Sequence, residues 1–445
     1  MTLDLHEIAK LTGSEFHGDT LDFQGISIDT RTLKPGETFL CLKGKYLDGH
    51  DFIKQAEGAG ASSIVLSSKM ETKLPYIYTE DTFDFLNRLA DFKRDNYLGK
   101  IICLTGSNGK TTTKDLTAQI LSKNKAAHKT LGNKNNQIGL PLTLLELDKQ
   151  DFSVIEIGTN SLGEISYLSQ KVKPHVALIT NAHNSHLEGL VDVDSVAKEK
   201  GDIIDSLDEE GSIILPSDSP YFSYWKERSK GLNIISFGRS DASTLRVTYI
   251  SQEVKNNKIL FGIKIGNLDL DCSLNTIGEH NVLNAVAALG ACYALDLDIN
   301  ECINELENCK FPDRRLSLKD YIKGGTLIDD TYNSNPESMK NLVSLVSNET
   351  RKKVLIAGEM LELGNNAEEF HKDVCLFASE KIDYFLCIGE MWQKGLEYYS
   401  GNGEIFRNKE DLLEHLNTIP LQDPIIMVKG SRSTKMNEIA DKLTK

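Results

Sequence analysis

From Ile101 onward, short β-branched apolar runs alternate with helix-length amphipathic stretches, and this alternation restricts the fold more than any other feature of the chain. The runs are IICLTG, VIEIG, VALITN, SIILP and NIISFG. Each has the length of a buried strand, and the stretches between them carry the apolar spacing of a helix. Parallel strands need such crossovers, so a mostly parallel sheet covered by helices is expected. Between about Leu245 and Cys272 the pattern turns to RVTYI, KILFGIKIG and LDLDC, an antiparallel annex ahead of the helical segment HNVLNAVAALGACYAL. A second, smaller α/β series follows FPDRR, with GGTLIDD, KKVLIAGE, YFLCIGE and PIIMVKG as strands. The first hundred residues form a module of their own, with TFLCLKG and SSIVL as strands and DFIKQAEGAGA as a short helix.

Length supports the same division. A chain of 445 residues exceeds the ~250–300 at which single cores stop growing. At a prior of about 150 residues per domain, roughly three are expected. With boundaries near Tyr97 and Pro312 they are 1–97, 98–312 and 313–445, and the class is α/β throughout.

Charge and cysteine content narrow the function. Lys and Arg number 50 against 65 Asp and Glu, a formal net charge of -15. Nonspecific nucleic-acid binding needs a basic surface, so no nucleic-acid partner is expected and any anionic ligand must be held by local groups. The 8 cysteines are scattered without a C-x-x-C pair, as buried free thiols would be. The start MTLDLHEIAK has no basic flank and apolar core, and no run of ~18 apolar residues follows. A cytoplasmic monomer without membrane contact is the expectation.

The segment ICLTGSNGKTTTKDL reads as a buried strand, a glycine-containing turn and the start of a helix. Gly106 and Gly109 let the backbone of Ser107 and Asn108 wrap an anion. The N–H groups at the helix start point at it, and the Lys110 ammonium neutralises terminal phosphates. Thr111 or Thr112 offers a hydroxyl to Mg2+. The spacing is G-x-x-G-K-T rather than the common G-x-x-x-x-G-K-[ST], since Leu104 stands where the first glycine would be. A nucleoside triphosphate site is expected, with ATP and Mg2+ as cofactors.

TLGNKNNQIGLPLTLLEL, VIEIGTNSLGEISYL and ITNAHNSHLEGLVDVDSVAKEKGDI then follow in the order seen in the Mur ligase family. SIDTRTLKPGETFLCLKG and DGHDF before them, and IDDTYNSNPESM, AGEMLELG and VKGSRS after them, extend the resemblance over nearly the whole chain. The resemblance implies an N-terminal UDP-substrate module, a central P-loop ATPase domain and a C-terminal Rossmann-like domain. It implies the branch of the family that joins D-alanyl-D-alanine to UDP-N-acetylmuramoyl-tripeptide through an acyl phosphate in peptidoglycan precursor synthesis. A sister ligase adding the third amino acid, or a noncatalytic nucleotide-binding regulator, are the alternatives.

Residue by residue, the strand-end carboxylate of Glu156 lies at a sheet's C-terminal edge, where open α/β sheets bind ligands, and suits Mg2+. His186 resembles a further metal ligand, with His183 as its competitor. Lys200 stands where related ligases carry a lysine carbamylated by CO2, and Lys198 is the decoy. Asn281 resembles the adenine-recognising amide, and an N-cap is its plainer role. Arg315 resembles the arginine that reaches the γ-phosphate, although Arg314 precedes it. Asp330 resembles the acid that positions the nucleotide, and Asp329 competes with it. For the UDP-sugar substrate the resemblance points to Ser27, Asp29, Thr30, Arg31, Lys43, Gly44, Asp48, Gly49, His50, Asn135 and Asn136. Lys429, Ser431 and Arg432 are read as binding a substrate carboxylate at a helix N-terminus.

Overall fold

A computed structural model describes residues 3–123 and 125–445. The chain is α/β, with three mostly parallel sheets. It falls into two compact units, one of residues 1–100 and 128–155, the other of residues 101–127 and 156–445.

In the first unit, five strands lie in the order Glu15–His17, Tyr76–Tyr78, Ser63–Leu66, Thr38–Leu40 and Ile26–Ser27. All neighbours are parallel except the Glu15–His17 edge. The helix Thr82–Asp95 starts at Asp81, whose carboxylate accepts from the Phe83 and Asp84 N–H groups, and it buries Phe85, Leu86 and Leu89 against Leu40, Val65 and Ile77. The helix Gly139–Leu145 adds Leu142 to that core.

In the second unit, the strands Lys100–Thr105, Val176–Ile179, Ser212–Pro216 and Asn233–Gly238 run side by side in parallel. Leu245–Glu253 joins them in parallel, then Lys258–Ile265 and Leu268–Leu274 continue as antiparallel partners, the hairpin annex expected from the sequence. The helix His280–Ala294 is buried along nearly its whole length. Its small residues make that possible: a Cβ on Gly290 would stand 3.2 Å from Ile214.

The last sheet orders its strands Ser317–Asp320, Thr326–Asp330, Ile425–Lys429, Lys353–Gly358, Tyr384–Ile388 and Asn402–Phe406. Only the Ser317–Asp320 edge is antiparallel. Its two faces are covered by separate apolar clusters, one around Met339, Leu355 and Phe385 and one around Leu386, Val428 and Ile439. Thr326–Asp330 and Lys353–Gly358 flank Ile425–Lys429, so the loops leaving their C-terminal ends emerge together at a switch point, where open α/β sheets form ligand sites.

His371 fixes one of these loops. Its Nδ1 lies 2.7 Å from the Ala367 carbonyl, and the Met360 N–H donates to its Nε2 at 3.0 Å. One neutral tautomer satisfies both bonds, and protonating Nε2 would set two donors face to face. Burial holds its pKa below the ordinary 6.5. The unfolded chain therefore binds the extra proton between the depressed folded value and 6.5, and stability falls as pH drops through that window. We expect His371→Gln to flatten the fall of urea-unfolding stability between pH 7 and pH 5. His371→Ala is expected to lose about 2–4 kcal/mol at pH 7 through the cavity and the orphaned Met360 N–H.

Candidate functional site

The turn from Gly106 to Lys110 is held from behind by the loop that follows Val176–Ile179. Gly106 has φ 155° and a Cβ there would lie 1.8 Å from Thr180 Oγ1, while Gly109 has φ 81° and a Cβ would lie 2.1 Å from Asn284 Oδ1. Only glycine fits either place. The Asn108 carbonyl accepts from Thr180 Oγ1 at 2.6 Å and from Asn181 Nδ2 at 3.0 Å, and the Asn108 N–H donates to Asn181 Oδ1 at 2.9 Å. Ser107 Oγ donates to the His183 carbonyl at 3.0 Å. The loop after Val176–Ile179 thus sets the turn's backbone in a fixed shape, as anion binding by N–H groups requires.

Lys110 opens the helix Lys110–Leu121 and folds its Nζ onto the Gly106 carbonyl at 2.6 Å and the Ser107 carbonyl at 3.4 Å. Its surroundings push its pKa down, chiefly by desolvation, with Arg315 adding repulsion and Glu156 opposing it. Of the two candidate hydroxyls, Thr112 is buried, whereas Thr111 Oγ1 is half-exposed and receives a hydrogen bond from Arg315 at 3.0 Å. Glu156 ends the strand Phe152–Glu156, buried, with one oxygen 3.8 Å from Lys114 Nζ.

Lys200 lies in the helix Val193–Gly201 and is 1% exposed, while Lys198 faces solvent. No hydrogen bond or ion pair to Lys200 Nζ exists among the described residues. Its neighbour Glu199 is committed elsewhere, accepting from Thr159 Oγ1 at 3.2 Å and from the Gly163 and Ile165 N–H groups at 2.7 Å. Burial, and then the charge of Lys110, hold the Lys200 pKa well below its ordinary 10.5.

The loops of the last sheet meet the turn. Arg315 stacks its guanidinium 4.0 Å from the Tyr332 ring centre as it reaches Thr111, and its Nε is buried with no partner among the described residues. Arg314 turns away to Asp441, 3.1 Å from it. Asp330 accepts from the Leu316 N–H at 3.2 Å and pairs with Lys429 Nζ at 2.5 Å. Asp329 is fully buried on Lys319 and Thr331, a structural partnership. Asn335 caps the helix Pro336–Leu345 and donates to Asn108 Oδ1 at 2.8 Å. His186 Nδ1 lies 2.8 Å from a Glu362 oxygen.

Several expectations need correction. Asn281 is not an N-cap: Glu279 occupies that place in the helix His280–Ala294. Its amide donates to the Ile277 carbonyl at 2.8 Å and accepts from Asn284 at 3.2 Å, because position two of a buried helix leaves it facing the preceding turn. Lys429, Ser431 and Arg432 do not sit at an α-helix N-terminus, since Arg432–Thr434 is a single tight turn and the next helix begins at Asn437. Lys429 is buried and spends its charge on Asp330 and the Asn333 carbonyl. Ser431 Oγ accepts from the Leu361 N–H at 2.9 Å, and Arg432 is exposed with its guanidinium 5.3 Å from the Tyr332 ring centre.

The first unit holds the remaining candidates in three tight turns. Arg31 chelates Asp29 at 2.6–3.2 Å, lowering the carboxyl pKa to about 2, and Ser27 Oγ donates to the Asp29 carbonyl at 3.1 Å. Thr30 lies 3.5 Å from Gln55. The backbones of Lys43 and Asp48 pair as an isolated antiparallel bridge, the Gly44 N–H donates to the Leu47 carbonyl at 2.8 Å, and the Gly49 N–H to that of Leu42 at 2.8 Å. Asp48 holds His50, whose Nε2 accepts from the Ser67 N–H at 3.0 Å. Asn136, next to Asn135, accepts from the Ile138 and Gly139 N–H groups at 3.2 and 2.8 Å, just ahead of the helix Gly139–Leu145, whose N-cap is Ile138.

The donor set suits Mg2+. Thr111 and Glu156 offer a hydroxyl and a carboxylate oxygen, and no cluster of three His, Cys, Asp or Glu among the described residues forms a ready cage. Magnesium binds in this way, through one or two protein oxygens, phosphate and water.

Comparison with known proteins agrees in extent with this geometry. Three family descriptions match: the Mur ligase family catalytic domain over residues 22–94, the Mur ligase middle domain over 104–292, and the Mur ligase glutamate ligase domain over 314–432. UDP-N-acetylmuramoyl-tripeptide--D-alanyl-D-alanine ligase of Buchnera aphidicola subsp. Acyrthosiphon pisum is 34% identical, with 100% of this chain and 98% of that protein covered. The chain belongs to the Mur ligase family. The Escherichia coli protein of the same name is 32% identical to this Mur ligase over 99% of it and 98% of the relative. A crystal structure of MurF from Acinetobacter baumannii superposes with a TM-score of 0.92 at 28% identity, covering 100% of this chain and 99% of that one.

Four residues of this Mur ligase site have no role in the expectations drawn from the sequence: Glu362, Thr180, Asn181 and Asn284. Glu362 stands in a motif that carries the resemblance, but its contact with His186 is made across the chain. Thr180 and Asn181, behind the turn, belong to a strand-end loop that reads as a connection. Asn284 was findable, since it lies three residues after Asn281 and so on the same helix face.

Proposed function

We propose that this Mur ligase joins D-alanyl-D-alanine to UDP-N-acetylmuramoyl-tripeptide at the expense of ATP, as a cytoplasmic monomer. The observation that carries the proposal is full-length similarity to relatives named for that reaction, 34% and 32% identical over nearly the whole of both chains. The site supports it chemically. The turn's N–H groups and Lys110 hold the triphosphate. Arg315, aimed by the Tyr332 face and carrying an Nε with no partner among the described residues, is suited to the charge that develops on the transferring phosphoryl group.

The tripeptide's terminal carboxylate attacks the γ-phosphorus, breaking the bond to ADP and giving an acyl phosphate. The amine of D-alanyl-D-alanine then attacks the acyl carbon. The new C–N bond forms as phosphate leaves with the C–O electron pair, and the amine's proton passes to solvent. No enzyme nucleophile is needed. Thr111 and Glu156 would hold Mg2+, with His186 and Lys200 as further candidate ligands, and the ion would neutralise charge on the phosphates. Asn281 and Asp330 line the nucleotide's side. Ser27, Asp29, Thr30, Arg31, Lys43, Gly44, Asp48, Gly49, His50, Asn135 and Asn136 serve the UDP-sugar, and the exposed Arg432 a substrate carboxylate.

The test is phosphate release from ATP and Mg2+ with both substrates and with each alone. Sustained release that needs both is expected. Equal release without the dipeptide would refute the proposal.

A further inference from the structure

Two cations flank the turn, Lys110 and Arg315. The second substrate brings another, because an amine at neutral pH is mostly an ammonium, and it must approach an acyl group formed beside Lys110. Like charges disfavour that approach unless a carboxylate receives it. The other acids nearby have roles already: Glu156 and Asp330 are assigned to the metal and the nucleotide, and the side chains of Glu156, Asp330 and Asp329 are 3%, 13% and 0% exposed, each with a lysine beside it. Glu362 differs. Its side chain is 56% exposed, and its contact is His186 rather than a lysine.

The backbone around this contact is also unusual. Glu362 has φ 63° and His186 has φ 55°, two non-glycine residues in the left-handed region facing one another. Such conformations carry an energetic cost and gather at functional sites. Glu362 leaves the C-terminal end of Lys353–Gly358 at the switch point described above, in a loop pinned by the Met360 and Leu361 N–H groups.

We infer that Glu362 is the acceptor-binding residue, its carboxylate receiving the ammonium of the incoming D-alanyl-D-alanine on its open side. This rests on the ligase reading and deepens it. Glu337, which faces His183 from the start of its helix, is the competing acid.

The test compares Glu362→Gln, Glu362→Asp and Glu337→Gln in the full chain. The first readout is trapping of the acyl phosphate by hydroxylamine with ATP and tripeptide alone. It reports a folded, phosphorylating enzyme independently of the acceptor. The second is the KM for D-alanyl-D-alanine beside the Ki of N-propionyl-D-alanine, which lacks only the ammonium. For Glu362→Gln we expect trapping within about threefold of the parent, a KM raised at least tenfold and an unchanged Ki, with Glu362→Asp recovering part of the KM. A KM and Ki that rise together, an unchanged KM, or the selective effect in Glu337→Gln instead would overturn the inference. A parent chain that traps no acyl phosphate would remove the ligase reading itself.

Discussion

Lys110→Met is expected to lower kcat by about a thousandfold or more, the scale on which preorganised charge acts at a transferring phosphoryl group. Methionine keeps the length and apolar stem and removes only the ammonium. That ammonium has a place prepared for it, on the Gly106 and Ser107 carbonyls at 2.6 and 3.4 Å, so no neighbouring cation is positioned to replace it. Arg315 reaches the same region from Thr111, yet it is fixed on the Tyr332 ring. Lys110→Arg is expected to fail as well, since a planar fork does not fit a seat built for a point charge. Initial rates of phosphate release with both substrates, with unfolding curves as a control, check this. A folded variant within tenfold of the parent would remove Lys110 from the chemistry.

The second large effect concerns Lys200. An amine this buried, without a partner among the described residues and beside another lysine, is poorly suited to remain an ammonium. A neutral amine adds CO2 with loss of a proton, and the resulting carbamate is an oxygen donor suited to Mg2+. We expect Lys200→Ala to lose about a hundredfold or more in kcat, with partial recovery on adding formate. The parent enzyme should lose activity in CO2-depleted buffer and regain it with bicarbonate. Lys200→Met should be inactive but no less stable than the parent, because an apolar side chain of similar size replaces a desolvated polar group. Near-normal kcat in a folded Lys200→Ala enzyme would contradict this role.

Much of the fold was legible in the sequence, because parallel strands buried on both faces write themselves as unbroken β-branched runs. IICLTG became Lys100–Thr105 and PIIMVKG became Ile425–Lys429. The phosphate turn was legible for a different reason: two glycines, a lysine and threonines at fixed spacing leave little else to build. The choices between neighbours were not. Whether Arg314 or Arg315 faces the turn, or Asp329 or Asp330, follows from which way each side chain points, and that is set by contacts a local pattern does not show: Arg314 with Asp441 far along the chain, and Asp329 with Lys319 on the neighbouring strand. Lys429 misled for the same reason. A lysine in a Gly-Ser turn reads as solvated, and only the pairing of Ile425–Lys429 with Thr326–Asp330 brings it onto Asp330. The His186–Glu362 contact joins positions 176 residues apart and has no local signature.

The most direct measurement of the central claim is the mass of the product formed when D-alanyl-D-alanine, diaminopimelate and glutamate are offered together with ATP, Mg2+ and UDP-N-acetylmuramoyl-tripeptide. We expect a single product heavier by one alanyl-alanine unit, with one ADP formed per product. A product extended by one amino acid, or ATP turnover without any extended product, would contradict it.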